Sequence, residues 1–190
     1  MSINSWLVVF SVAGVGSTLS SMLTVHPLAT RRAKAYARDC LGYLGIAAAT
    51  APLGIIAQRA GLGTNRRFVL AGSAVPTLLA ALLAARQEAG PTAATPGKRR
   101  YQLLVEARTG EPLTFRQALL RNLIKITLPW QLGHTDAIGA AFGGFDNRDP
   151  LTIGTAVITY PLVAAMIVGV VTRSGRAPHD RLTGSHVIEG

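Results

Sequence analysis

Three residues combine a charge with a position at the rim of an apolar stretch: Arg32, Asp39 and Asp180. Arg32 and Asp39 are seven apart, two turns of a helix, so they share a face, with Tyr36 between them. Asp39 stands just before the apolar run that begins at Cys40. A carboxylate there stays ionised only where water, a cation or an arginine supports it. Asp180 lies in His179-Asp180-Arg181-Leu182-Thr183-Gly184, just past the last apolar run. Two readings are open. Carboxylates beside a low-dielectric region can exchange a proton for a cation. The same three residues can equally form an interfacial Arg–Asp network that fixes helix packing and topology.

Weaker candidates are His134 and Asp136, which lie inside an otherwise apolar run where an ionisable group is costly. They are two apart and so do not share a helical face. Little else suggests chemistry. His26, His134, His179 and His186 show no metal-ligand spacing. The single cysteine, Cys40, allows no internal disulfide and reads as a small buried hydrophobe. Pro96-Gly97-Lys98 lacks the rest of a phosphate-loop pattern and reads as a turn. No Ser/His/Asp or Cys/His order can be traced. The expectation is therefore no catalytic residue, no metal, no cofactor and no enzyme activity.

These residues must be positioned by hydrophobic elements. Of the 190 residues, 49% are hydrophobic and only 15% charged, against about 25% charged in a typical soluble domain. Mean hydropathy is positive, +0.34. The apolar content is gathered into five runs, residues 6–23, 40–57, 68–85, 126–145 and 151–172. A spanning helix needs roughly 20 such residues. The first run has no Lys or Arg before it and no Ala-x-Ala site after it, which favours a retained span over a signal peptide. The fourth contains Pro129, His134, Asp136, Gly139, Gly143 and Gly144, so a short span, a re-entrant helix or an interfacial helix all fit.

Net charge is +10. The basic residues fall between the apolar runs and on no nucleic-acid motif, so the excess reads as positive-inside bias and attraction to anionic lipid headgroups. Residues 24–39, 86–125 and the tail after residue 172 are all basic. If all five runs span, these segments share one side, which is then cytoplasmic. The loop 58–67, with Arg59, Arg66 and Arg67, dissents.

Within the polar segment 86–125, residues 89–97 read as a linker. Residues 100–108 have β-compatible alternation, and Thr109-Gly110-Glu111 reads as a turn, which predicts a short hairpin. Thr114 with Gln117 three residues on makes a capping-box pattern. The helix that follows would gather Phe115, Ala118, Leu119, Asn122, Leu123 and Ile126 on one face, with Arg116, Arg121 and Lys125 largely elsewhere. That pattern suits an interfacial amphipathic helix or the polar start of a span.

Three stretches together resemble the RDD family of bacterial membrane proteins. They are Arg31-Arg32-Ala33-Lys34-Ala35-Tyr36-Ala37-Arg38-Asp39, then Thr95-Pro96-Gly97-Lys98-Arg99 with Pro112-Leu113-Thr114-Phe115-Arg116-Gln117-Ala118-Leu119-Leu120-Arg121-Asn122, and finally His179-Asp180-Arg181-Leu182-Thr183-Gly184-Ser185-His186-Val187-Ile188. The family takes its name from one Arg and two Asp, which by position are Arg32, Asp39 and Asp180 here. Cation/proton antiport has been attributed to at least one relative, so the resemblance implies transport loosely. This chain departs from the pattern in the early run 6–23 and in the extra cations Lys34 and Arg38.

The sequence thus predicts an all-α integral membrane protein. It would have four to five transmembrane helices, a small cytoplasmic β-hairpin and an interfacial amphipathic helix. Residues 1–23 form an N-terminal span and 24–188 the RDD-like membrane domain. The expected setting is the bacterial inner membrane, multi-pass, with the lipid bilayer and anionic headgroups as partners and with self-association or a larger membrane complex. The functions open are a small cation/proton antiporter or other secondary transporter using Arg32, Asp39 and Asp180, or a non-catalytic accessory, scaffold or assembly subunit.

Overall fold

The computed structural model describes residues 25–190; the first apolar run, 6–23, lies outside them. Helix α1 (Ala29–Arg59) turns through a short 3-10 segment (Leu62–Thr64) into α2 (Arg66–Glu88). Asn65 starts α2 by accepting from the Arg67 and Phe68 amides, which would otherwise lack partners at a helix N-terminus. A polar stretch follows, with α3 (Pro96–Arg100), strand β1 (Leu103–Ala107) and α4 (Phe115–Asn122). A π-helical segment (Leu123–Thr127) joins α4 to α5 (Leu128–Ala141), and the chain ends with α6 (Pro150–Val171), α7 (Pro178–Leu182) and β2 (Ser185–Glu189).

Helices α1, α2 and α6 are long and apolar enough to cross a membrane. Their large side chains are left exposed, among them Leu44, Leu53, Ile56, Leu78, Ile158 and Ile167. Apolar surface on long, uncharged helices suits hydrocarbon, where each backbone polar group must be bonded within its own helix. The second, third and fifth runs therefore form the expected helices. The fourth run differs. Its α-helical part, α5, has 14 residues, short of the roughly 20 that span a bilayer.

The π segment has a local cause. Pro129 has no amide hydrogen, and its ring crowds the carbonyl four residues back, that of Lys125. The helix widens just there: the Leu128 amide donates to the Leu123 carbonyl, five residues away. Helix α5 then runs beside α2, where the Thr127 hydroxyl donates to the Thr77 carbonyl at 3.2 Å and the Gln131 amide to the Ser73 hydroxyl at 2.9 Å. Farther on it packs against α6 so closely at Gly139 that a Cβ there would collide with Thr152.

The strand at residues 103–107 exists, but the expected local hairpin does not. β1 pairs antiparallel with β2 from the C-terminal tail, Leu103 opposite Glu189 and Ala107 opposite Ser185. The turn at Gly110 is made, yet on the near side it yields only an isolated bridge between Glu106 and Pro112. Leu103, Val105 and Val187 turn inward onto Leu113, Ala118, Ala35 and Ala85. Burying that alternate face outweighs the short loop closure a hairpin would have offered.

The three basic segments meet at this end, as their shared charge predicts. Arg31 at the start of α1 donates to the Tyr101 carbonyl and pairs with Glu189 in β2. The dissenting loop lies at the opposite end, where Arg66 pairs with Asp149 at 2.6 Å and donates to Thr152.

Candidate functional site

Where the helices meet the β1–β2 layer, a set of charged side chains is almost fully buried. Arg121, on α4, lies at its centre, 1% exposed. Its Nη1 donates to both Glu88 oxygens at 2.9 and 2.7 Å, and its Nε and Nη2 donate to Asp180 Oδ1 at 3.2 and 2.8 Å. Only a planar guanidinium can present two edges to two carboxylates in this way. Glu88, the last residue of α2, also receives the Lys98 ammonium and the Asn122 amide. Asp180 receives Arg32 Nη2 at 2.8 Å through its other oxygen and, from within its own helix turn, the Ala177 amide at 3.1 Å. Arg32 also donates to the Gly175 carbonyl. The chain Lys98–Glu88–Arg121–Asp180–Arg32 thus ties α1, α2, α3, α4 and α7 together.

Pairing overcomes burial here. Burial alone would raise the Asp180 carboxyl, but Arg121, with help from Arg32, holds it well below the usual carboxylate range. Arg121 is likewise kept charged: burial pulls its pKa down, and Glu88 and Asp180 push it further up. His179 has no such support. Burial pushes its imidazole down to about 3, with Asp180 opposing only in part. It therefore stays neutral beside the pair.

The sequence candidates divide. Arg32 and Asp180 come together directly. Asp39 does not join them; it accepts the Thr95 hydroxyl at 2.6 Å and the Gly97 amide at 2.7 Å. Gly97 is required by this approach, because a Cβ there would strike the Ala35 carbonyl and the Asp39 carboxylate. The Pro96-Gly97-Lys98 turn is thus the N-terminal turn of a short helix capped by Thr95, and it holds a carboxylate of the protein itself. His134 and Asp136 lie away from this centre on α5. Asp136 accepts the Thr155 hydroxyl at 2.7 Å, and His134 packs edge-on to Trp130.

Sequence reasoning missed Glu88, Lys98, Arg121 and Asn122. It also placed Arg121 on the outward face of its helix, whereas Ala118, Arg121 and Asn122 are the buried residues of α4. A signal was present: Arg121 is three residues from Ala118, so the two share a face. The capping box of Thr114 and Gln117 forms as its spacing predicts.

Beside this cluster lies a cavity of about 380 Å³. Arg32, Asp39, Lys98, Arg121 and Lys125 line one side and residues of α6 the other. Lys125 forms no hydrogen bond or ion pair among the described residues; its ammonium sits 5.2 Å from the centre of the Tyr36 ring. Among the described residues no group of three His, Cys, Asp or Glu is placed to hold a metal.

Comparison with curated proteins and with solved structures gave no match in either case. A family model does match, over residues 26–184, a stretch that runs from just before Arg32 through Asp180 and takes in every member of the buried network. On that match the chain belongs to the RDD family, a family of membrane proteins.

Proposed function

We propose that this protein is a non-catalytic accessory or scaffold subunit of a larger membrane complex, and that Arg32 and Asp180 of the family motif serve as a structural clasp. The observation that carries this reading is the occupancy of Asp180. Its two oxygens take two guanidinium groups and a backbone amide, and it is 0% exposed. A carboxylate held so firmly ionised is a poor proton carrier near neutral pH. Binding sites in transporters also tend to sit near the bilayer midplane, often on broken helices; this cluster lies at one end of the bundle.

In this reading the polar end faces the cytoplasm of a bacterial inner membrane, as its basic segments support. Helix α5 with its π segment makes a fourth crossing, since it runs from the level of Glu88 to that of Thr152. The broad apolar faces of α1 and α6 meet lipid or partner helices.

A second reading, a cation/proton antiporter, draws on Asp39, which faces the cavity with no arginine or lysine among the described residues hydrogen-bonded to it. Cation/proton exchange in proteoliposomes holding only this protein separates the two. Wild type and Asp39→Asn, both checked for folding, should show no exchange across several cations and pH values. Under mild detergent the native protein should migrate as part of a larger assembly. Exchange by wild type that Asp39→Asn abolishes would overturn the accessory reading and place the carrier at Asp39.

A further inference from the structure

We propose that the cavity beside Lys125 is a binding site for one anionic phospholipid, with the phosphate on Lys125 and an acyl chain along α6. The inference is independent of whether the protein exchanges ions.

Charge balance is the first ground. Around the cavity stand four cations, Arg32, Lys98, Arg121 and Lys125, and three carboxylates, Asp39, Glu88 and Asp180. Arg32, Lys98 and Arg121 each have a carboxylate at ion-pair distance. Lys125 has none among the described residues, only the face of Tyr36. A poorly hydrated ammonium without a counter-charge is costly, and an anion in the cavity would remove that cost. Asp39 also lines the cavity, but its oxygens are already turned to Thr95 and Gly97.

The opposite wall selects the kind of anion. Val163, Met166, Ile167, Val170 and Val171 line it without a polar side chain. A soluble anion would find no partner there, whereas an acyl chain would. The volume, about 380 Å³, falls within the roughly 300–1,000 Å³ usual for ligand pockets. Position agrees as well. The cavity includes Ala29 and Arg32 at the start of α1 and Val171 at the end of α6. That is the rim of two apolar helices, the level at which lipid phosphates lie and where basic pockets between helices take anionic headgroups.

Native mass spectrometry of the full chain, delipidated in detergent and titrated with phosphatidylglycerol, tests this. Phosphatidylcholine and inorganic phosphate serve as comparison arms. One phosphatidylglycerol per chain should be retained. Lys125→Gln should weaken retention about tenfold or more, the scale of a lost charge-assisted hydrogen bond. Met166→Trp should do the same by filling the apolar side. Arg116→Gln, at an exposed site, should leave it unchanged. Lys125 has no ion pair to lose, so its variant should fold, as size-exclusion and thermal unfolding would verify. Equal retention of phosphatidylcholine, equal retention by Lys125→Gln, or equal competition by inorganic phosphate would each overturn the proposal. A photo-crosslinker at Ile167 that captures the chain's own residues 1–23 in place of lipid would overturn it too.

Discussion

Replacing Arg121 by methionine keeps much of the side chain's length and removes its charge. The structure sets the scale of the loss. Arg121 makes four bonds to two carboxylates and a fifth, at 3.2 Å, to the Ser185 hydroxyl. Removing one member of a buried ion pair costs about 3–5 kcal/mol, mostly through the charge left behind. Neither carboxylate would be stranded entirely, since Glu88 keeps Lys98 and Asn122, and Asp180 keeps Arg32 and the Ala177 amide. The lower part of that range, about 3 kcal/mol, is therefore expected. For a chain of this size that corresponds to a fall in Tm of about 10 °C, measured by thermal unfolding in detergent with Arg116→Met as the exposed control. The pH dependence has a definite sign. In the wild type the Asp180 carboxyl is depressed, so its contribution is present at neutral pH and lost only in strong acid. Without Arg121 that depression shrinks, and the folded variant takes up protons at milder pH. The gap between variant and wild type should therefore narrow as pH falls toward the ordinary carboxylate range. A variant as stable as wild type, or a gap that widens on acidification, would refute the clasp.

Gly97→Ala should force the α1–α3 contact apart and cost about 1–3 kcal/mol, the range for overpacking, read by the same unfolding assay. Thr114→Ala should remove the hydroxyl that caps α4 and cost about 1 kcal/mol, with Thr114→Ser recovering most of it. His179 should show no titration by NMR between pH 5 and 8, because its folded pKa is near 3. Since the unfolded imidazole binds a proton near pH 6.5, His179 should lower stability progressively as pH drops from there toward 3, and His179→Gln should flatten that slope.

The sequence made the membrane helices legible because an uncharged run of sufficient length has few other ways to satisfy its backbone. Arg32 and Asp180 were legible as charges at the rims of apolar runs, and the family pattern joined them; nothing local links residues 148 positions apart. Glu88 and Arg121 were harder. Each stands in a segment with other charges, and a charge near the end of a helix ordinarily faces water. Their burial depends on three cations and two carboxylates closing on one another in three dimensions, which no single helical pattern announces. The hairpin failed for a related reason. Thr109-Gly110-Glu111 does turn the chain, but strand pairing follows the burial of Leu103, Val105 and Val187, and the partner was a tail not expected to form a strand. Pro129, by contrast, signalled a break in the fourth run, and the π segment stands immediately before it.

The pairing of β1 with β2 also bears on the order in which the molecule can be completed. Asp180 and β2 belong to the last eleven residues of the described chain, Asp180 to Gly190. During synthesis from the N-terminus, Arg32, Glu88 and Arg121 all emerge before their closing carboxylate and the strand that covers Leu103. Until then the ion-paired network holds Arg32, Lys98 and Arg121 against Glu88, without Asp180. This end can lock only once Asp180 and β2 have been made, and a chain that stops short of residue 180 would leave Arg32 and Leu103 open to chaperones and proteases.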